Sequence, residues 1–297
     1  MKNGGAPGSR RVARWRPAAV LSLVAPFLFA AGASAVETVR IAPVINAPAG
    51  FVVHGTAELH IGGTSTIRDV DGLVLTTKRI ASADREEYTD TTLARDAGGS
   101  RFRRVYGRVI HEEESGNQLG VMNGRSLLFV LKGRNVTVTP DGGAPLDDDE
   151  QKGLTELAQR ALRVEAANFC IAPYALTVGA SWTVPVSLLT DCYDELGHVV
   201  KTIPGRGTLR AIEPRDGHRV AVIEISFVRS IDTMGEIKFD SLADAVVTSK
   251  IEVTLDAPVK WRRLTLTTLS GVSHPKGADK PSVTVALQAT ETLTSSP

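Results

Sequence analysis

Length and charge limit the classes of protein to which this chain can belong. Its 297 residues contain 34 Lys and Arg against 33 Asp and Glu, and removing the five basic residues of the first 16 leaves 29 against 33. A mildly acidic chain gives no electrostatic reason to expect nucleic acid or anionic lipid as a partner, because those partners select dense basic patches. The length allows one β-rich domain over 36–297, or two lobes that meet near residues 142–147.

The first 35 residues have the three parts of a secretory signal peptide. A basic start without acidic residues leads into an apolar run over 17–31, and Ala33-Ser34-Ala35 supplies the small residues of a cleavage site. We expect cleavage after Ala35 and a soluble periplasmic or secreted product. A membrane anchor is the alternative, but the run is short and contains Pro26.

The route of export remains open between two systems. Ser9-Arg10-Arg11 resembles the start of a twin-arginine signal, whereas Ala13 and Arg14 stand where that signal has large apolar residues. The sequence therefore favours general secretion over the twin-arginine route.

One basic cluster stands out in the first half of the chain. If this stretch is a strand, Arg101 and Arg103 point one way, while Arg104 and Arg108 share the opposite side with Phe102 and Tyr106. A solvated strand face explains the cluster. The alternative is a contact site for an anion or a partner, made by the four arginines Arg101, Arg103, Arg104 and Arg108.

One strong helix is predicted after the first group of strands. Asp147 and Glu150 have the spacing of a capping box, and apolar residues recur at helical intervals from Leu154 to Phe169. Helix capping also explains the run of acidic residues over 147–150, which lacks the spacing of a calcium loop. A second, short helix is predicted from Ser241 to Val247.

Most of the remaining sequence alternates apolar and polar residues with period two. Ala221, Ile223, Ile225 and Phe227 form one such row, and similar rows follow over 250–256 and 283–290. Turn residues separate the rows, and two hairpins are predicted, from Leu127 to Thr139 and from Gly207 through Asp216-Gly217. The predicted fold class is α+β, mostly antiparallel β-sheet, as a curved sheet or half-barrel with one main amphipathic helix.

The two cysteines predict a disulfide. An exported protein meets an oxidising compartment, and no basic neighbour in the sequence would activate Cys170 or Cys192 as a reactive thiol. We therefore expect a bridge from the end of the main helix to a segment that follows a strand.

Motifs for catalysis and metal binding are incomplete. His111-Glu112-Glu113-Glu114 lacks the second histidine of a zinc-protease helix, since Ser115 stands there, and His54 and His60 lack a third ligand. Ser273 and Lys276 have the spacing of a Ser-x-x-Lys motif, but Pro275 disfavours the helix that this motif needs. The sequence therefore predicts no catalytic residue, no metal site and no cofactor.

The run from Ala175 to Trp182, after a helix and before a strand, resembles an element of exported bacterial β-rich proteins of unknown function. Residues 148–297 are also similar in general pattern to the lipoprotein-carrier (LolA-like) half-barrels. That resemblance implies a curved sheet around a helical plug with an apolar lumen, and no site residue carries over. Trp182 is expected in the core.

Three functions follow as hypotheses. The first is an exported, non-enzymatic binding or scaffold module of the cell envelope with an unknown ligand or partner. The second is a carrier of an apolar or lipid ligand in a half-barrel lumen, and the third is a hydrolase whose site is assembled from distant residues.

Overall fold

The structure is a computed structural model, and the residues that it describes are 38–41, 48–96, 99–113, 116–120, 122–132, 135–142, 145–148, 150–151, 153–154, 175–193, 196–256, 260–274 and 281–297. The predicted signal peptide, its cleavage site and Cys170 lie outside these residues. The signal peptide, its cleavage and the disulfide of Cys170 therefore stay predictions.

Fifteen strands occur in the described part of the chain. Their bounds are β1 Thr38–Arg40, β2 Val52–Arg68, β3 Val74–Asp96, β4 Gly99–Glu113, β5 Gly116–Leu119, β6 Ser126–Lys132, β7 Asn135–Pro140, β8 Ala175–Thr177, β9 Ser181–Val184, β10 His198–Thr202, β11 Gly205–Arg215, β12 His218–Met234, β13 Ile237–Thr254, β14 Trp261–Ser273 and β15 Ser282–Ser296. The predicted dominance of antiparallel strands is confirmed, because every pairing in the sheets is antiparallel.

Two helices occur among the residues that the structure describes. Helix α1 begins at Asp148, and its described residues are 148, 150–151 and 153–154. The predicted capping box is confirmed, because the Glu150 amide donates to Asp147 Oδ1 at 2.8 Å and the Asp147 amide donates to Glu150 Oε2 at 2.9 Å. Helix α2, Val186–Cys192, was not expected from the sequence.

The main sheet joins two groups of strands that are far apart in sequence. Its order is β7-β6-β4-β3-β2-β15-β14-β13-β12-β11-β9, with β5 beside β4 and β10 beside β12. The first long strand, β2, pairs over its whole length with the last strand, β15. A small separate sheet contains β1 and β8.

Both predicted hairpins are confirmed. Strands β6 and β7 pair from Leu127 to Lys132, and β11 and β12 pair around Asp216 and Gly217. Those two turn residues have φ of 50° and 77°, which is the geometry that a two-residue Asp-Gly hairpin turn requires.

The predicted helix from Ser241 to Val247 is wrong, because these residues belong to strand β13. Ala243, Ala245 and Val247 alternate as buried residues of this strand. Asp244, which has the capping-box spacing from Ser241, accepts a hydrogen bond from the Ser230 hydroxyl of β12 at 2.8 Å. Burial of the period-two row outweighed the local capping signal.

Both helices pack on the same face of the main sheet, here called the helix-bearing face. Residues that lie opposite each other in adjacent antiparallel strands point to the same side, and one such row passes through Ile223, Ile251, Arg263, Leu293, Ala57 and Glu86. Leu189 of α2 packs at one end of this face, and Leu154 of α1 packs at the other with Tyr106 and Phe129.

The hydrophobic core is divided into separate clusters. The α2 cluster includes residues of β1, β8, β9 and β11–β14, and the α1 cluster lies on β3, β4, β6 and β7. A third cluster around Ile231, Phe239 and Val285 lies on β12–β15. The strip of β2 and β3 between the α1 and α2 clusters is covered less completely, and it positions the candidate site described below.

Candidate binding face and its buried arginines

The predicted arginine cluster divides between a buried and an exposed environment. Arg104 lies on the helix-bearing face and is 5% exposed, whereas Arg101, Arg103 and Arg108 are exposed. Arg103 forms a surface ion pair with Asp141. The four arginines therefore do not form one basic patch.

A β-bulge places Arg108 on the side of the sheet opposite to the one that the sequence pattern predicted. Tyr88 pairs with Tyr106 and Glu86 pairs with Val109, so that two residues of β4, Gly107 and Arg108, stand opposite one residue of β3. The extra residue reverses the alternation beyond this point. Arg104 keeps the predicted side, which it shares with Phe102 and Tyr106.

Arg104 lies within a ring of aromatic side chains. Its guanidinium carbon is 3.7 Å from the centroid of the Tyr88 ring, and the rings of Phe102, Tyr106 and Phe129 lie within 5.8 Å. Nε and Nη2 donate to the two carboxylate oxygens of Asp90, each at 2.7 Å. A bidentate pair stacked on aromatic faces is the environment that a buried guanidinium needs.

Burial and charge around Arg104 shift the ionisation of its neighbours. Burial raises the pKa of Tyr88 to about 12, and the nearby Arg104 charge offsets only part of this effect. Burial lowers the pKa of Arg104, but Asp90 and the two tyrosines raise it by more than burial lowers it. The pKa of Arg104 therefore lies well above its ordinary value. Arg104 is thus a permanent buried cation that its own protein neutralises.

Helix α2 ends against two other buried arginines. Arg229 of β12 donates from Nη2 to the carbonyls of Leu189, at 3.0 Å, and Tyr193, at 3.2 Å. Arg263 of β14 donates from Nη1 to the Cys192 carbonyl at 2.7 Å and from Nη2 to Glu291 at 2.9 Å. The last carbonyls of a helix generally lack partners within it, although the Leu189 carbonyl also accepts the Tyr193 amide at 3.2 Å. Positive charge at this end also complements the helix dipole.

Sequence reasoning missed these two residues, although a signal was present. Arg229 has the same parity as Ile223, Ile225 and Phe227, so the alternating pattern places an arginine on an apolar face. A charge in such a row is either at the sheet margin or paired in the interior. The partner, a short helix from another part of the chain, could not be read from the pattern.

A partly covered strip lies between the α1 and α2 clusters on the helix-bearing face. The central strip, as we name it, has an apolar part on β2 and polar side chains beside it, and all its members are half-buried. They are Ala57, Leu59, Ile61, Ser82, Asp84, Glu86 and Glu291.

Two carboxylates of the central strip contact basic side chains of neighbouring strands. Glu291 pairs with Arg263 at 2.9 Å, and Asp84 contacts His111. Leu59 lies directly between them, opposite Glu291 on one side and Asp84 on the other. The strip therefore presents aliphatic surface between two fixed polar pairs.

A shallow depression of about 540 Å³ lies mainly on the opposite, outer face of the sheet. Gly62 and Ala286 form its floor because they have little or no side chain, and His60, Thr268, Gln288 and Thr290 surround it. It is an open surface feature on a face where the two helices do not pack.

Three of the described histidines, His111, His198 and His274, each contact one aspartate. His198 contacts Asp232 at 2.8 Å, and His274 contacts Asp240 at 2.6 Å. The hydrogen bond from each of these two histidines lowers the pKa of its aspartate. His54 and His60 share the outer face of β2, and His54 contacts Thr89. Among the described residues no group of three His, Cys, Asp or Glu could hold a metal ion.

Cys192, at the end of α2, is fully buried. Since Cys170 lies outside the described residues, the bridge between them stays a prediction. Trp182 is buried in the α2 cluster over Gly207, as expected for a core residue. Within the described ranges no helix has the length and apolarity that a membrane crossing requires.

Comparisons with known proteins give little guidance. No family model and no curated protein matches the chain. Solved structures that resemble it include two mutants of the Rh. blastica porin, each 8% identical, and a chain titled "Asymmetric conductivity of engineered proteins", 9% identical. Each covers 81% of this chain and 100% of its own, with a TM-score of 0.23. That score is too low to support an argument about fold or function.

Proposed function

We propose that this chain is an exported, non-enzymatic binding module of the cell envelope that holds an apolar or amphiphilic ligand on the central strip. The observation that carries the proposal is the placement of this strip: half-buried aliphatic residues lie between two helices that pack on the same face. Ligand sites are commonly concave and mostly apolar, with a few fixed polar groups.

The chemistry of the strip favours a ligand with an apolar body. Leu59 and Ile61 are two residues apart on β2 and therefore point to the same side. Neither belongs to one of the three clusters of buried residues. Contact with an alkyl chain or ring would remove their remaining surface from water. The pairs Glu291–Arg263 and Asp84–His111 beside Leu59 would orient a polar end.

A binding role also agrees with the separation of the titratable groups. The His198–Asp232 and His274–Asp240 pairs lie on different strands, and the most strongly shifted groups, Tyr88 and Arg104, are packed against one another. Nucleophilic or acid–base catalysis needs such groups to converge on one reacting atom. The carrier resemblance inferred from the sequence is consistent with a ligand beside helices on one face of a sheet.

Two adjacent residues allow a sharp test, because Ile61 points to the helix-bearing face and Gly62 to the outer face. Processed protein purified after export would be examined by native mass spectrometry for a retained ligand, then titrated with a fluorescent long-chain fatty acid. We expect binding by the wild type and a loss of about tenfold or more in affinity for Ile61→Trp, which fills the strip. Leu59→Gln should weaken binding in the same direction.

Gly62→Trp is the matched control, since a side chain at Gly62 meets open space. It should fold and bind as the wild type does. If Gly62→Trp abolishes binding while Ile61→Trp does not, the outer depression is the site and the proposal is wrong. A wild type that retains no ligand and binds no fatty acid would also contradict it, and turnover in a broad hydrolase screen would favour the enzyme hypothesis.

A further inference from the structure

The turn between β2 and β3 exposes an unusual concentration of aliphatic side chains. Val70, Leu73, Val74 and Leu75 are 64%, 67%, 52% and 59% exposed. Isolated exposed aliphatic residues are common on protein surfaces, but a contiguous group at one projecting point indicates a contact surface. We propose that this hairpin tip docks on the surface of an anionic lipid bilayer.

One edge of the hairpin is open. Strand β3 pairs with β4 only from Ser82 onward, so residues 74–81 lie beyond the end of β4 by about 26 Å at strand spacing, while β15 accompanies β2 as far as Arg68. All residues from Val74 to Arg79 are exposed. The aliphatic group therefore lies at a turn and at a strand edge that β4 leaves uncovered, where a flat partner can reach it.

The turn is held in one conformation by its own hydrogen bonds. Asp69 Oδ1 accepts the amides of Asp71, at 3.0 Å, and Leu73, at 2.8 Å, and the Asp69 amide donates to the Leu73 carbonyl at 2.9 Å. Arg68 Nη1 donates to the Gly72 carbonyl at 3.0 Å. Little conformational entropy is then lost when the aliphatic side chains meet a partner.

Charge near the tip complements anionic lipid. Arg68, Lys78 and Arg79 are exposed beside the aliphatic group and outnumber the two carboxylates of the turn, Asp69 and Asp71. The mildly acidic total charge predicts no long-range attraction, but cations within about 10 Å of a bilayer act locally on its headgroups. Peripheral membrane binding strengthens with both the apolar area that is buried and the electrostatic attraction to anionic lipids.

The location of the aliphatic residues favours a bilayer over an added β-strand. A strand pairing with the exposed edge of β3 would cover residues 74–81, but Val70 and Leu73 lie in the turn, where no strand can pair. Asp71 is exposed at the apex and opposes insertion. Neutralising Asp71 should therefore strengthen binding to a bilayer. A partner protein that contacts Asp71 through a cationic side chain would instead bind the Asp71→Asn variant more weakly.

The test is co-sedimentation of the exported protein with vesicles, after mass spectrometry has shown that residues 1–35 are absent. Vesicles of phosphatidylcholine with phosphatidylglycerol should bind the wild type. Leu73→Gln/Leu75→Gln should lower the partition coefficient by at least about tenfold, since two aliphatic side chains lose their burial. Lys78→Gln/Arg79→Gln should lower it by about fivefold per charge on anionic vesicles alone, and Asp71→Asn should raise it.

Leu242→Gln/Val200→Gln is the matched control, because these aliphatic residues are 50% and 52% exposed elsewhere. It should bind vesicles like the wild type, as should Ile61→Trp, whose change lies in the proposed ligand strip. Leu73→Trp should show a blue-shifted emission on anionic vesicles. The proposal is overturned if the wild type stays in solution, if the control pair loses binding equally, or if Asp71→Asn weakens binding.

Discussion

Arg263 donates a hydrogen bond of 2.7 Å from Nη1 to the backbone carbonyl of Cys192, which lies 71 residues earlier in the chain. Its Nη2 donates to Glu291, and its guanidinium carbon lies 4.9 Å from the centroid of the Tyr193 ring. One buried side chain thus joins the end of α2, strand β14 and strand β15. This residue and Arg229 provide the polar attachment of α2 to the sheet, beside the apolar packing of Leu189.

Arg263→Met should destabilise the protein strongly. The substitution leaves the Cys192 carbonyl without this donor and Glu291 without its cation, and breaking a buried pair costs about 3–5 kcal/mol. Chemical denaturation would measure the change in the free energy of unfolding. Arg262→Met, at the neighbouring exposed position, is the control and should lie within about 0.5 kcal/mol of the wild type. Equal losses for both variants would contradict the anchoring role.

Asp90→Asn should lower the free energy of unfolding much more than Asp141→Asn. Both replace a carboxylate that pairs with an arginine of β4, but the Arg104 side chain is 6% exposed and the Arg103 side chain is 46% exposed. The first change leaves a buried cation uncompensated, at a cost of about 3–5 kcal/mol. The second removes a surface pair worth less than about 1 kcal/mol. Urea titrations of both variants would measure the difference, and similar midpoints would refute it.

Tyr88 should make stability fall at alkaline pH. Its pKa is raised to about 12 from an ordinary value of 10.0, so the stabilisation is complete below pH 10 and is lost as the pH rises toward 12. Two pKa units correspond to about 2–3 kcal/mol. Tyr88→Phe should therefore flatten the fall in unfolding free energy between pH 9 and 11.5. The fall is not abolished, because burial also raises the pKa of Tyr106 and Tyr193. Parallel curves for the two proteins would show that Tyr88 does not contribute.

The predicted bridge between Cys170 and Cys192 has its own test. Closing the loop between them should stabilise the folded state by about 3 kcal/mol in the entropic model. For a domain of this size, Cys170→Ser should then lower the thermal midpoint by roughly 6–12 °C. A thiol count in denaturant should give no thiol for the unreduced wild type and one for the variant. Two thiols in the wild type would disprove the bridge.

Much of the local structure was predictable, because it depends on neighbouring residues. The Asp216-Gly217 turn requires positive φ at adjacent positions, and the Asp147–Glu150 capping box satisfies helix amides within one turn. The period-two row through Ile223 and Ile225 predicted a strand with a buried side, which the structure confirms. At Ser241 a capping pattern competed with the period-two alternation of apolar residues. The capping pattern was the weaker signal and predicted the wrong element.

The candidate site was predictable only in part. The sequence placed Arg104 on the side of Phe102 and Tyr106, but the bulge opposite Glu87 turned Arg108 away from it. An extra residue in one strand reverses the side that the following residues face, and it can be recognised only against the partner strand. The register between β3 and β4 cannot be read from either strand alone. Likewise, nothing in the sequence around Arg263 identifies the Cys192 carbonyl as its acceptor.

The sequence by itself determined the antiparallel strands, the two predicted hairpins and the start of helix α1, since turn geometry, capping and side-chain alternation act over a few residues. Only the tertiary structure decided that β2 pairs with β15, that both helices pack on one face, and that Arg229 and Arg263 hold the end of α2. Those choices depend on burying apolar surface and satisfying polar groups between segments far apart in the chain. Local patterns allow many such pairings, and the total burial selects among them.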